Sequence, residues 1–262
     1  MKKALLLGML LGLGVLLAAC GTSGGSTGGD SGSGGGDTSN KGQIVSFEAS
    51  PIVHDLGDQV TFSWEVDNPQ SLPCSLDVDD DGVAEDYHGV CPNTGSFTYT
   101  YPQAGDYTAK LYLGSQADPA DTSSRSLSTM ERDVTAFYYR LYVIKDCDAG
   151  LAGAGEFGWD LFINGVRLSS VDRNNAVAIN DGEYVDLTRV AKSLTISKLS
   201  DTVSFTGTIY EFDNGSEIAQ PFSVVFGSDD RWGIQEPGHV WTRRFNISET
   251  CSFELSVAVR SP

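Results

Sequence analysis

The stretch CSLDVDDDGVAEDYHGVC, residues 74–91, gathers the side chains best suited to chemistry. Asp77, Asp79, Asp80 and Asp81 fall within five positions, and Gly82 follows them. Asp77, Asp79, Asp81 and Gly82 spell the D-x-D-x-D-G start of a calcium loop. In such loops alternate carboxylates converge on one hard cation and the glycine permits the bend. The Val83 carbonyl and Glu85, through water, are the candidates to complete the shell. A full helix-flanked loop takes a glutamate at its twelfth position, and His88 stands there instead, with Glu85 and Asp86 nearby. The helix–loop–helix form is therefore not expected. Two readings stay open: a calcium-stapled turn, and an acidic turn whose charges are screened by water and salt. Calcium is the one cofactor the sequence suggests.

The compartment bears on this choice. The chain opens MKKALLLGMLLGLGVLLAAC, with Lys2 and Lys3 before an apolar and glycine run at residues 4–19. That run has export-signal length and is short for a membrane span. Leu17-Ala18-Ala19-Cys20 resembles the lipobox of bacterial lipoproteins. The resemblance implies a signal peptide over residues 1–19 and lipid on Cys20. It also implies a protein held at the bacterial cell envelope, facing outside the cytoplasm. From residue 20 to residue 42 the chain is rich in Gly and Ser, and residues 21–42 carry no apolar side chain. This segment reads as a flexible tether with an r.m.s. span of roughly 25 Å.

The other four cysteines, Cys74, Cys91, Cys147 and Cys251, form an even set in an exported chain and allow three pairings. Cys74–Cys91 with Cys147–Cys251 keeps each bridge inside one expected domain. The formal net charge of −18 argues against nucleic-acid partners and against attraction to anionic lipid. Membrane contact is expected through the N-terminal lipid alone, with a further extracellular or envelope ligand of unknown identity.

Beyond residue 43 the hydrophobic period is two. Val60, Phe62, Trp64 and Val66 alternate with Thr61, Ser63 and Glu65. Tyr107, Ala109, Leu111 and Leu113 repeat the pattern, as do Val203, Phe205 and Ile209, and Phe253, Leu255, Val257 and Val259. Such alternation marks half-buried strands, and turn-rich pieces separate them. The one helix-like stretch is short, near residues 187–194. The expected fold class is all-β, with two β-sandwiches in tandem after the tether. Residues 115–133 are polar and turn-rich. A boundary after residue 137 makes DVTAF the closing strand of a first domain, 43–137, and YYRLYVI the opening of a second, 138–262.

Residues 43–137 resemble the polycystic kidney disease (PKD) type of immunoglobulin-like repeat found in bacterial surface proteins. The entry GDQVTFSW supplies Gly57, Val60 and Phe62, and YTYPQAGDYTAKLYL supplies Tyr101, Gly105, Tyr107 and Leu111. Tyr99 replaces the family's histidine. LDVDDDG replaces its central turn, with Leu76 at the tryptophan position and one extra residue. The resemblance implies a sandwich that acts as a spacer or binding module, with the acidic stretch at a strand end.

In the second half, KDCDAGLAGAGEFGWDLFING and YEFDNGSE are acidic loops beside strands. They resemble, faintly, the calcium-dependent lipid-binding sandwich of protein kinase C type. That likeness makes Asp146, Asp148, Glu156, Asp213 and Glu217 candidate ligands, against the plainer reading of polar turns. Trp159, Trp232 and Trp241 suit either a carbohydrate platform or, more commonly, a core. No G-x-S-x-G, H-E-x-x-H or phosphate loop occurs, and His54, His88 and His239 stand in no triad context. The expectation is a non-catalytic binding or adhesion lipoprotein. The alternatives are a carboxylate-dependent hydrolase acting on polysaccharide and an envelope spacer without a ligand.

Overall fold

The computed structural model describes residues 41–147, 154–213, 216–234 and 240–262. The lipobox, Cys20, the tether up to residue 40, Asp148 and His239 lie outside these residues, as does the side chain of Asp213.

Alternation becomes burial strand by strand. Along β3 (Val60–Asp67) the residues Val60, Phe62, Trp64 and Val66 are buried and those between them exposed. β3 lies between β1 (Gln43–Ser50) and β6 (Thr94–Tyr99) in a three-stranded antiparallel sheet. The facing sheet has the order β2 (Val53–Asp55), β8 (Asp118–Met130), β7 (Gly105–Ser115), β4 (Cys74–Asp77), β5 (Asp86–His88). Phe47, Phe62 and Trp64 from the first sheet share one core with Leu76, Ala109, Leu111 and Leu127 from the second. Gly95 on β6 lets the sheet close over Trp64, since a Cβ there would sit 2.2 Å from the indole Cζ2.

Glu131 alone separates β8 from β9 (Arg132–Asp146). β9 is the spine of the second sandwich. It pairs with β14 (Ala191–Ile196), β13 (Tyr184–Asp186) and β18 (Cys251–Arg260), and β17 (Trp241–Asn246) completes that sheet beyond β18. The opposite sheet runs β11 (Val166–Val171), β10 (Gly155–Ile163), β15 (Val203–Asp213), β16 (Ser216–Phe226), with β12 (Val177–Ile179) also on β10. Tyr138 crosses the core between these sheets, donating its hydroxyl to the carbonyls of Phe162 and Thr206 at 2.9 and 3.0 Å.

Three expectations need correction. Residues 133–137 do not close the first sandwich; they pair with β14 and β18, and Val134 and Ala136 sit in the second core. The polar run 115–133 contains β8, a 13-residue strand whose inward positions are themselves mostly polar, Asp121, Ser123 and Arg125 preceding the buried Leu127 and Thr129, and whose ladder is supplied by β7. The helix-like stretch at 187–194 is a turn leading into β14.

The sandwiches meet at a built joint. Leu56 is fully buried in the second core, and its carbonyl accepts from Arg132 Nε at 3.1 Å. The Ala104 and Leu199 amides donate to Ser197 and Pro102 carbonyls, each at 2.8 Å. Both disulfides match the one-bridge-per-domain pairing, Cys74–Cys91 and Cys147–Cys251. Trp159 and Trp232 lie in the second core, and the Trp232 indole donates to the Asp201 carbonyl at 2.9 Å. Trp241 is partly exposed.

Candidate metal site

Asp77 ends β4, and all of its side chain is buried. Its two oxygens accept from the amides of Asp80 and Gly82, at 2.7 and 3.0 Å. These bonds wrap the chain around the carboxylate. Asp80 and Gly82 both take positive φ, +61° and +87°, which glycine adopts freely and aspartate tolerates. The returning strand brings Glu85 back beside β4, where its amide donates to Leu76 and its Oε2 accepts from Val78 N–H at 2.8 Å. The Cys74–Cys91 bridge closes the loop at its base.

This path places oxygens of Asp77, Asp79 and Glu85 within 4.8 Å of one another. Among the described residues it is the only group of three or more such ligands drawn together. Asp79 Oδ1 is buried with no hydrogen-bond partner. Burial first, and then the charges of Asp81 and Asp77, push the Asp79 carboxyl above its usual range. Burial likewise raises Glu85; the Val78 amide offsets part of this, and the charges of Asp79 and Asp77 add to it. Beneath the loop, Tyr99 meets Tyr101 edge-on with centroids 5.0 Å apart, Tyr101 stacks on Tyr107 at 4.1 Å, and Tyr101 donates to the Val78 carbonyl at 2.7 Å. Burial raises all three phenols, and the charge on Asp79 adds to each. They form a low-dielectric wall on one side of three crowded carboxylates.

Of the five residues expected as ligands, three lie together. Asp81 is exposed and turned aside, its Oδ1 accepting from the Val83 amide at 2.7 Å. Val83 is exposed. Asp80 pairs with Lys110 at 2.7 Å, which places a cation on the outer rim of the loop. The sequence suggests Glu85 as a ligand through water. Its direct place in the cluster follows from the β4–β5 pairing, which the spacing of acids does not reveal. His88 is turned to Asp86 at 3.1 Å.

The residues fit a calcium ion. Oxygens across one calcium stand about 4.6–5.2 Å apart, twice the usual bond length, and the cluster falls within that span. The buried, partnerless oxygen of Asp79 is the atom a cation would satisfy.

The acidic loops of the second sandwich are not drawn together among the described residues. Asp146 places its amide on Asp181 Oδ1, while Glu156 and Glu217 are exposed. Sequence reasoning missed a polar recess of about 350 Å³ on the outer face of β10, β11 and β15. There Asp160 pairs with Arg167 and accepts from the Tyr210 hydroxyl at 3.1 Å. Asp160 and Arg167 pair across the β10–β11 hairpin, but Tyr210 lies 50 residues from Asp160, so no local motif announces the group. His54 is buried, its Nε2 2.9 Å from the Thr129 hydroxyl.

No protein family matches the chain, and no curated protein does. Likenesses to solved structures are distant. Human GIVD cytosolic phospholipase A2 in complex with methyl gamma-linolenyl fluorophosphonate aligns at 15 % identity and TM-score 0.29, over 50 % of this chain and 17 % of that one. A structure of extended-synaptotagmin 2 comprising its SMP domain and two C2 domains aligns at 6 % and 0.29, over 73 % and 54 %. The human OSCAR ligand-binding domain aligns at 14 % and 0.23, over 69 % and 96 %. The chain thus spans less than a fifth of the phospholipase. Likenesses this distant assign no family. The disulfides suit a protein outside the cytoplasm.

Proposed function

We propose that this protein is a lipid-anchored binding module of the bacterial envelope, non-catalytic, with a calcium-stabilised loop in its first sandwich. The observation that carries the calcium reading is the cluster of Asp77, Asp79 and Glu85 around an oxygen with no partner. Asp77 is the fixed frame, since backbone amides hold both its oxygens. Asp79 and Glu85 are the adjustable ligands, held close by β4, the returning strand and the disulfide. A divalent cation there would neutralise their repulsion and lock the loop against the tyrosine wall. The PKD-type likeness of residues 43–137 supports a spacer or binding role. The lipobox at Leu17–Cys20 supports the anchor, and the charge of −18 argues against nucleic acid as a partner.

Two measurements test this. Calorimetric titration of the metal-free protein with calcium should give one saturable site, and magnesium should bind more weakly; absence of a saturable site overturns the calcium reading. Wild-type protein should fractionate with membranes, and Cys20→Ser should become soluble or remain unprocessed, with residues 1–19 still attached. Release of wild-type protein with a free N-terminal cysteine overturns the anchor.

A further inference from the structure

Among the described residues, one side of the second sandwich has no strand closing it. Its two sheets end there in β16 and β17, which among those residues pair only with β15 and β18 respectively. Between these edges lies a recess of about 310 Å³ lined by Phe222, Val224, Trp241, Phe245, Leu255 and Val257. Trp241, Arg243 and Phe245 stand opposite Val257, Leu255 and Phe253, so Arg243 occupies an inward position between two aromatic residues. Its guanidinium lies 5.4 Å from the Phe245 ring, and Nη1 donates to the Ser223 carbonyl of β16 at 3.1 Å. No carboxylate pairs with Arg243 among the described residues, in a chain of 35 acidic and 17 basic side chains. One cation therefore spans the mouth of an otherwise apolar hollow.

An inward charge on an edge strand also guards against strand pairing. That explains the charge but not the hollow, because packed interiors leave few voids larger than a water molecule. The volume is at the lower end of small-molecule pockets, which run from about 300 Å³. A peptide strand is a poor occupant, since Pro221 removes a donor from β16. An apolar body capped by an anion fits both features. Arg243 has donors beyond the one used by Ser223, and a guanidinium matches a carboxylate with two parallel hydrogen bonds.

We propose that this recess binds a small amphiphilic carboxylate, its aliphatic or aryl body between β16 and β17 and its carboxylate on Arg243. The proposal goes beyond the calcium reading and does not rest on it, so its test is run in chelator. Laurate, below its micelle concentration, is titrated into the full chain carrying Cys20→Ala, which leaves no attached lipid to compete. Calorimetry and tryptophan fluorescence should report one saturable site, with dodecanol at least about tenfold weaker because it lacks the charged partner. Arg243→Gln should bring laurate to the dodecanol level. Val224→Trp, on the half-buried edge of β16, should abolish both while leaving calcium binding intact. Equal, non-saturable uptake of laurate and dodecanol overturns the proposal, as does a laurate affinity unchanged by Arg243→Gln. So does a concentration-dependent dimer broken by Val224→Trp, which would make a second copy the occupant. Binding to anionic vesicles that needs Arg243, without binding of free laurate, would place the surface against a membrane and overturn it too.

Discussion

Asp79→Asn should act in opposite directions with and without calcium, and that reversal separates a metal site from an acidic turn. In chelator the wild-type Asp79 carboxylate has one oxygen buried and partnerless, with Asp81 and Asp77 bearing on its charge. The amide removes that charge at nearly constant volume, so the variant should melt above the wild type. With free calcium at 100 dissociation constants, the wild type gains about 2.7 kcal/mol. For a folded body of this size each kcal/mol moves Tm by about 2–4 °C, so the wild type should rise by about 5–11 °C. The variant keeps two of three anionic ligands and should rise far less, leaving it below the wild type. Scanning calorimetry in EDTA and in calcium, with magnesium at matched ionic strength as control, reads the crossing directly. Asp77→Asn is a poor substitute, because its amide nitrogen cannot accept one of the two bonds from Asp80 and Gly82, which should destabilise both states. If wild type and Asp79→Asn move together, or neither moves, the loop is an acidic turn and the cluster has no ion to hold.

The same carboxylates give a pH test. Asp79 and Glu85 titrate above their ordinary values when folded, so between ordinary and raised values the native state binds more protons than the unfolded chain. Metal-free stability should therefore fall as pH rises through that interval, and calcium should cancel the fall, since it favours the charged forms; Tm against pH in EDTA and in calcium checks both signs. Replacing both members of a disulfide with serine should cost about 3 kcal/mol for Cys74–Cys91, which closes 17 residues, and about 4.7 kcal/mol for Cys147–Cys251, which closes 104. Denaturant titration would show the order reversed if the short loop carries more than its closure entropy. Gly95→Ala should lose about 1–3 kcal/mol, because its Cβ would press on the Trp64 indole; an unchanged midpoint would mean that Trp64 is free to move.

How much of this was legible depends on whether a signal is local. β3 announces itself because each inward residue is apolar and each outward one polar, so its burial follows the sequence position by position. β8 does not, although it is longer, because DPADTSSRSLSTM buries only Leu127 and Thr129 and takes its shape from the β7 ladder. The misplaced boundary has the same origin. Val134 and Ala136 read equally well as the end of one sandwich or the start of another, and only pairing with β14 and β18 decides.

In the acidic loop the split falls within a few residues. The spacing of aspartates correctly marked a tight turn, because Asp77 caps its own downstream amides. It ranked Asp81 ahead of Glu85, because the D-x-D-x-D-G pattern takes alternate carboxylates directly and leaves Glu85 to reach the ion through water; the structure reverses that order. The reversal comes from the fold. Glu85 returns along β4 and is bonded to Val78, whereas Asp81 sits at the exposed tip and uses its oxygen on Val83. A loop built only to present charge to water would have no reason to draw Glu85 back over the buried Tyr101 and its half-buried neighbours Tyr99 and Tyr107. Three carboxylates gathered at a low-dielectric wall raise one another's energy unless a proton or a cation intervenes, and of the two only a cation remains available above the carboxylate range.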